Sequence, residues 1–268
     1  MNRIQNSENK AGLSVNEVKF IRSLHDRKGR EEQGCFIAEG AKIVTELLKS
    51  HFTVRHIFRT DSFNLPGQLH HAVAVTEINA GDLKKISALT TPNQVLAVAE
   101  IPAWKIKMRE MGEDLSLVLE DVRDPGNLGT IIRIADWFGI RRVICSETCV
   151  DVFNPKVVQA SAGSAMRVKV YTENLESFLK ELRETFPPSV LPVYAAVLGG
   201  ENLYRKKPAV PGIILLGNES RGISPGVLGF ATEKISIPSA GGGAESLNVA
   251  IAAALICSEF RREDQRKG

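Results

Sequence analysis

The sequence predicts an α/β protein whose larger part is built on a parallel sheet, and three observations carry that prediction. From Leu115 onward, short apolar runs of strand length alternate with amphipathic stretches of helix length, the pattern of a parallel sheet covered on both faces. The Gly, Asn, Ser and Pro residues of this half collect at the ends of the apolar runs, in DPGNLG, LGNESRGIS and IPSAGGGAESLN. Residues 1–100 alternate helix and strand on a smaller scale, as a small α/β domain does. A chain of 268 residues with 43% apolar and 24% charged side chains has room for two cores and lacks the composition of extended disorder.

Taken in order, a polar tail precedes a helix expected from Val15 to Arg30, whose end DRKGR offers Gly29 as a left-handed cap. CFIAEG reads as a strand. AKIVTELLKS reads as an amphipathic helix with Ile43, Val44, Leu47 and Leu48 on one face. VRHIFRT and HAVAVT are strand-like, GDLKKISAL is a short helix, and TPNQVLAVAEI returns to strand. The polar, proline-bearing PAWKIKMREMGED, residues 101–113, is the expected linker, dividing the chain into 1–105 and 106–268. Beyond it come LSLVLEDV (strand), NLGTIIRIADWFG (helix), RRVICS (strand), NPKVVQAS (helix), RVKVYT (strand) and NLESFLKELRETF (helix). LPVYAAVL, GIILLGN and KISIP follow as strands, and SLNVAIAAALICSEFRRE as a long helix. Parallel sheets bind ligands at the carboxyl ends of their strands, so the three polar loops are expected to converge on one site.

Composition removes several function classes. The first residues carry no apolar stretch of a secretory signal, and the run VAIAAALIC is far shorter than the roughly 20 residues of a membrane span. A cytoplasmic protein is expected. Four cysteines, Cys35, Cys145, Cys149 and Cys257, form no CxxC pair, and all five histidines precede residue 72, so no metal site is expected in the second half. The formal charge of +3 comes from residues 1–105, which permits RNA contact without demonstrating it. Neither GxGxxG after the first strand of the second half nor GxxxxGK[ST] occurs, which disfavours a dinucleotide-dependent oxidoreductase and a P-loop enzyme.

LEDVRDPGNLGTIIRIADWFG, LLGNESRGIS and ISIPSAGGGAESLNVAIAAAL resemble, in order, the three signature motifs of the SpoU family of RNA 2′-O-ribose methyltransferases, in the SPOUT superfamily. The resemblance covers residues 115 to 260. FIAEGAKIVTELL and ISALTTPNQVLAVA are similar to the RNA substrate-binding domain, akin to ribosomal proteins, that precedes the catalytic domain in many members. The resemblance implies a parallel α/β sheet with a C-terminal trefoil knot, S-adenosyl-L-methionine as cofactor and a homodimer completing the site; methyl transfer from a sulfonium needs no metal, and no membrane is expected from the short apolar runs. It further implies 2′-O-methylation of structured RNA, ribosomal RNA in preference to transfer RNA.

The resemblance carries over to single residues. Arg133 and Asn127 match the family's residues at the reacting ribose; read locally, Arg133 pairs with Asp136 and Asn127 caps the helix. Arginine keeps its proton until pH above about 12, so Arg133 is expected to orient the hydroxyl and stabilise the developing oxyanion rather than act as a base. Gly217, Asn218, Glu219 and Gly222 match the cofactor cradle, with Glu219 buttressing the site. Ile237, Pro238, Ser246 and Leu247 match the third loop, whose backbone holds adenine; Ser246 and Asn248 line the active centre, and Ser246 is a candidate cap of the long helix. Ser161 and Gly163 match a turn near the cofactor cleft. Arg22, Arg27, Lys28, Arg30, Arg141, Arg142 and residues 205–207 are candidate phosphate contacts or plain solvated charges. The competing reading is a non-catalytic RNA-binding protein on the same fold, against which the pair Asn127 and Arg133 argues.

Overall fold

The computed structural model describes residues 12–65, 73–241 and 243–262. The chain forms two compact units, one of residues 1–103 with 151–166, the other of residues 104–150 with 167–268.

The first unit opens with α1 (Val15–Ser23), begun by a reciprocal cap: Ser14 Oγ accepts from Glu17 N at 3.2 Å, and Glu17 Oε2 accepts from Ser14 N at 2.8 Å. The single helix expected from Val15 to Arg30 is two. The chain turns at Leu24 to Asp26 and resumes as α2 (Arg27–Gln33). Gly29 sits buried inside α2, where a Cβ would lie 2.0 Å from Ser23 O, and the left-handed cap is Gly34 at φ +60°. Glycine is therefore used at 29 for close approach and at 34 for conformation.

β1 (Cys35–Glu39), α3 (Ala41–Lys49), β2 (Val54–Arg59), β3 (Ala74–Glu77), α4 (Ala80–Ile86) and β4 (Val95–Glu100) complete this unit as a mixed sheet of order β1-β4-β2-β3. The expected face of α3, Ile43, Val44, Leu47 and Leu48, is buried. The expected strand HAVAVT begins within residues outside the described set and continues as β3.

The second unit comprises β5 (Leu115–Leu119), α5 (Pro125–Trp137), β6 (Arg142–Ser146), then, after the excursion described below, β7 (Lys169–Glu173), α7 (Leu175–Thr185), β8 (Val193–Asn202), β9 (Gly212–Leu216), the short α8 (Pro225–Leu228), β10 (Glu233–Ser236) and α9 (Val249–Phe260). Its six strands pair in parallel throughout, in the order β10-β8-β9-β5-β6-β7. β5, β6 and β9 are buried along their whole length, as the uninterrupted apolar runs require.

The compact units depart from the sequence boundary in two places. Trp104, Ile106 and Met108 pack on the core of the second unit and Met111 is fully buried, so the stretch expected as a linker is already structure from Trp104. Residues 151–166, with α6 (Pro155–Ala160), belong to the first unit. Phe153 lies against Phe36 with ring centroids 4.6 Å apart, and the buried Arg30 holds Asp151 at 2.6 Å while donating to the carbonyls of Leu24 and His25. A guanidinium out of water needs all these acceptors, and Asp151 supplies the opposite charge.

Candidate active site

The site is built at the carboxyl ends of β5 and β9 and ahead of α9. α5 starts where Asp124 caps it, Oδ1 accepting from Asn127 N at 2.8 Å, with Pro125 in the first turn. Asn127 is thus not the cap, and its side chain is free for other work. Its Nδ2 donates to Glu219 Oε1 at 2.5 Å, and its Oδ1 accepts from Asn248 Nδ2 at 3.0 Å. Asn248 Oδ1 in turn accepts from Ala250 N at 2.9 Å and Ile251 N at 3.3 Å. One chain of hydrogen bonds therefore joins all three polar loops, running from the positive end of α9 through two amides to a carboxylate. Every amide orientation in it is fixed by its neighbours.

Asn248, not Ser246, caps α9. Ser246 is exposed and its side chain makes no hydrogen bond with a described residue; Leu247 and Pro238 are exposed and Ile237 half-buried on the same connection. Gly242 lies outside the described residues. Arg133 does not pair with Asp136: Asp136 is held bidentately by Arg167, at 2.7 to 3.2 Å, and Arg133 is exposed with no ion pair or hydrogen bond to a described residue.

The second loop is a tight turn. Asn218 and Gly222 exchange backbone hydrogen bonds at 2.9 and 3.0 Å, and Asn218 Oδ1 accepts from Ser220 N and Arg221 N. A Cβ on Gly217 would lie 2.4 Å from the Gly222 carbonyl, and Gly222 has φ +69°. Glu219 is thereby projected from the crown of the turn toward Asn127.

Sequence reasoning placed Ser161 and Gly163 near this cleft. They belong to the first unit, where the Ser161 hydroxyl donates to Val158 O at 2.8 Å and Gly163, at φ +98°, lies against Glu46 of α3. Among the basic candidates, Arg30 is buried with Asp151, Arg27 and Lys28 pair with Glu31 and Glu32, Arg142 is buried beside Glu110 and Glu113, and Lys206 bridges Glu201 and Glu233. Arg22, Arg141, Arg205 and Lys207 are exposed. Among the described residues, no three His, Cys, Asp or Glu side chains are arranged to hold a metal ion, and no helix is long and apolar enough to cross a membrane.

Comparison with known proteins decides the family. The SpoU rRNA Methylase family model matches residues 114–258, and an MRM3-like substrate binding domain model matches residues 16–97. The chain belongs to the SpoU rRNA methylase family. The 23S rRNA (guanosine(2553)-2'-O)-methyltransferase RlmP of Bacillus subtilis is 30% identical over 262 residues, 97% of this chain and 100% of that protein. The structure of a TrmH-family protein from Porphyromonas gingivalis is similar with a TM-score of 0.84 and 42% identity, covering 94% of this chain and 100% of that one. An AdoMet-bound rRNA methyltransferase from Sinorhizobium meliloti gives a TM-score of 0.79 at 29% identity, over 93% of this chain and 96% of that one.

This SpoU-family chain also carries site features that sequence reasoning passed over. β8 pairs with β10 up to Ala195, then resumes at Glu201, so residues 196–200 bulge out at the carboxyl end of the strand with Leu198 79% exposed. A Cβ on Gly200 would lie 2.7–2.8 Å from the Ile235 backbone, which fixes the bulge against the strand leading to Ile237. The doublet Gly199-Gly200 at the end of the apolar run VYAAVL was the available signal. Beneath the first loop, Cys149 Sγ accepts from Val122 N at 3.3 Å. A hydrogen bond from Cys145 brings the Cys149 thiol down to about 7, while the same bond and burial push Cys145 up.

Proposed function

We propose that this chain transfers the methyl group of S-adenosylmethionine to the 2′-oxygen of ribose in ribosomal RNA. The observation that carries the reading is the Asn248–Asn127–Glu219 chain joining the three loops. Family membership supplies the reaction class, and the Bacillus subtilis and Sinorhizobium meliloti relatives are rRNA methyltransferases by name.

The loops have the shape of a cofactor cradle because glycine lets them close on themselves. A Cβ at Gly217 would strike the Gly222 backbone and one at Gly200 the Ile235 backbone, while Gly222, at φ +69°, supplies the left-handed turn. S-adenosylmethionine, when bound, supplies an electrophilic methyl on a sulfonium. The chain's own residues then have two tasks. Asn127, clamped on both sides, holds one face of the ribose in line with the methyl, and fixed orientation alone lowers such barriers by several kcal/mol, roughly 7–11 in the best intramolecular models. Arg133 donates to the 2′-oxygen as negative charge develops there, while the proton leaves to an RNA phosphate oxygen or water, because a guanidinium cannot accept it.

The reading includes a homodimer. Six residues along α5 is a rotation of about 240° from Asn127, so Asn127 and Arg133 of one chain project roughly 120° apart. The exposed face of α5 and its neighbour α9 carries Arg133 with Trp137 at 82%, Ile251 at 53% and Leu255 at 37% exposure, an apolar surface suited to a second copy. A second copy's Arg133 is the one proposed to reach Asn127. The reading also includes the trefoil threading of the segment that follows β10, RNA binding by the first unit, and a cytoplasmic setting, in which the four free buried cysteines stay reduced.

The test is methyl transfer from labelled S-adenosylmethionine to unmodified ribosomal and transfer RNA, with nuclease digestion to place the label. Ribose-linked label on ribosomal RNA is expected, and Arg133→Ala is expected to abolish it while cofactor binding persists. Label on transfer RNA alone overturns the substrate class. Tight RNA binding without any transfer favours the non-catalytic reading.

A further inference from the structure

Asp121 stands two residues beyond β5, inside the first motif LEDVRDPGNLG, and the sequence alone gives it no role. Its φ of +56° is a left-handed conformation that glycine, asparagine and aspartate adopt more readily than other residues, and here side-chain and backbone contacts hold it. The contacts are specific. Asp121 N donates to Ser146 Oγ at the end of β6, at 3.0 Å. Asn218 Nδ2, in the turn after β9, donates to Asp121 O at 2.9 Å and lies 3.3 Å from Asp121 Oδ2. Arg123 Nε donates to Asp121 Oδ1 at 2.6 Å. One residue thus ties the carboxyl ends of three neighbouring strands together.

We propose that Asp121 is a positioning residue for the reaction: it anchors Asn218, and through Asn218 the turn from Gly217 to Gly222 that presents Glu219 to Asn127. The route is continuous. Asn218 spends its Nδ2 on Asp121 and its Oδ1 on Ser220 N and Arg221 N, so the same amide that grips Asp121 shapes the crown bearing Glu219. Glu219 then meets Asn127, which lies six residues beyond Asp121 in the first turn of α5. The first and second loops are therefore joined twice, at the base by Asp121 with Asn218 and at the top by Asn127 with Glu219. Loosening the base moves the top. Glu120 reinforces the same seam, its N–H donating to Leu216 O at 2.9 Å and its Oε2 accepting from Ser224 N at 2.8 Å.

The inference rests on the reading of these loops as a cofactor site, and the experiment separates the two. S-adenosylmethionine binding is measured by calorimetry without RNA, together with melting temperature, for the full chain and its variants. Asp121→Gly keeps the backbone conformation and the carbonyl that accepts from Asn218 while deleting the carboxylate with its contacts to Asn218 and Arg123, so it is expected to melt near the wild type and bind the cofactor about fivefold more weakly. Asp121→Asn, which also tolerates φ +56° and keeps one acceptor, is expected to fall between the two. In the background of Asn218→Ala, Asp121→Gly is expected to add less than about twofold, because the route to Glu219 is already cut. Should Asp121→Gly fail to fold, the same cycle is run with Asp121→Asn. Wild-type affinity in both Asp121 variants, or losses that multiply fully in the double variant, overturns the proposal. A wild type that does not bind the cofactor overturns the site reading beneath it.

Discussion

Asn248 shows how one side chain serves stability and chemistry at once. Its oxygen caps α9 by accepting from Ala250 N and Ile251 N, and its nitrogen steadies Asn127. The two roles separate by substitution. Asn248→Asp keeps an oxygen cap and adds negative charge at a helix N-terminus, but turns an acceptor toward the Asn127 oxygen. It is expected to melt at or above the wild-type temperature while methyl transfer falls by about 10²-fold, on the scale of losing one well-placed donor. Asn248→Ala loses both roles and is expected to cost about 1 kcal/mol in urea unfolding as well. Wild-type transfer rates in Asn248→Asp remove the hydrogen-bond chain from the mechanism. The residue types here were legible in the sequence, but their division of labour was not. Asn127 and Ser246 each read as helix caps by position, yet Asp124 and Asn248 hold those places.

Among the elements, the turn after β9 is the one whose geometry the site depends on most directly. It is closed by the paired backbone of Asn218 and Gly222, with Gly217 packed so tightly that an added Cβ would meet the Gly222 carbonyl at 2.4 Å. The obstacle is backbone, which cannot rotate away as a side chain would. Gly217→Ala is therefore expected to spring the turn, raising the Kd for S-adenosylmethionine at least about tenfold while costing about 1–3 kcal/mol of stability. Unchanged affinity by calorimetry would detach this turn from the cofactor. Elsewhere the strands and most helices matched their sequence signals, since alternation and apolar runs are local properties. The first helix did not. Its break at Leu24 to Asp26 depends on α2 folding back so that Gly29 touches Ser23, which no periodicity encodes.

At the scale of the whole molecule, the exposed apolar face of α5 and α9 asks for a partner. Trp137→Glu places a charge in the middle of the proposed interface and is expected to yield a monomer by light scattering, with methyl transfer lost and the melting curve of the isolated chain little changed. A dimer that survives this substitution moves the interface elsewhere. The sequence by itself determined the class of fold, the two cores, the three loops and the family, because hydrophobic period, turn residues and ordered motifs are all written along the chain. Only the tertiary structure decided which groups meet. Asn127 reaches Glu219 across 92 residues and Asn248 across 121, Asp136 takes Arg167 in place of Arg133, and residues 151–166 join the first unit through Arg30 and Phe36. Those choices turn on distance, burial and the need to satisfy each polar group once water is excluded, and these are properties of the folded chain rather than of any stretch of it.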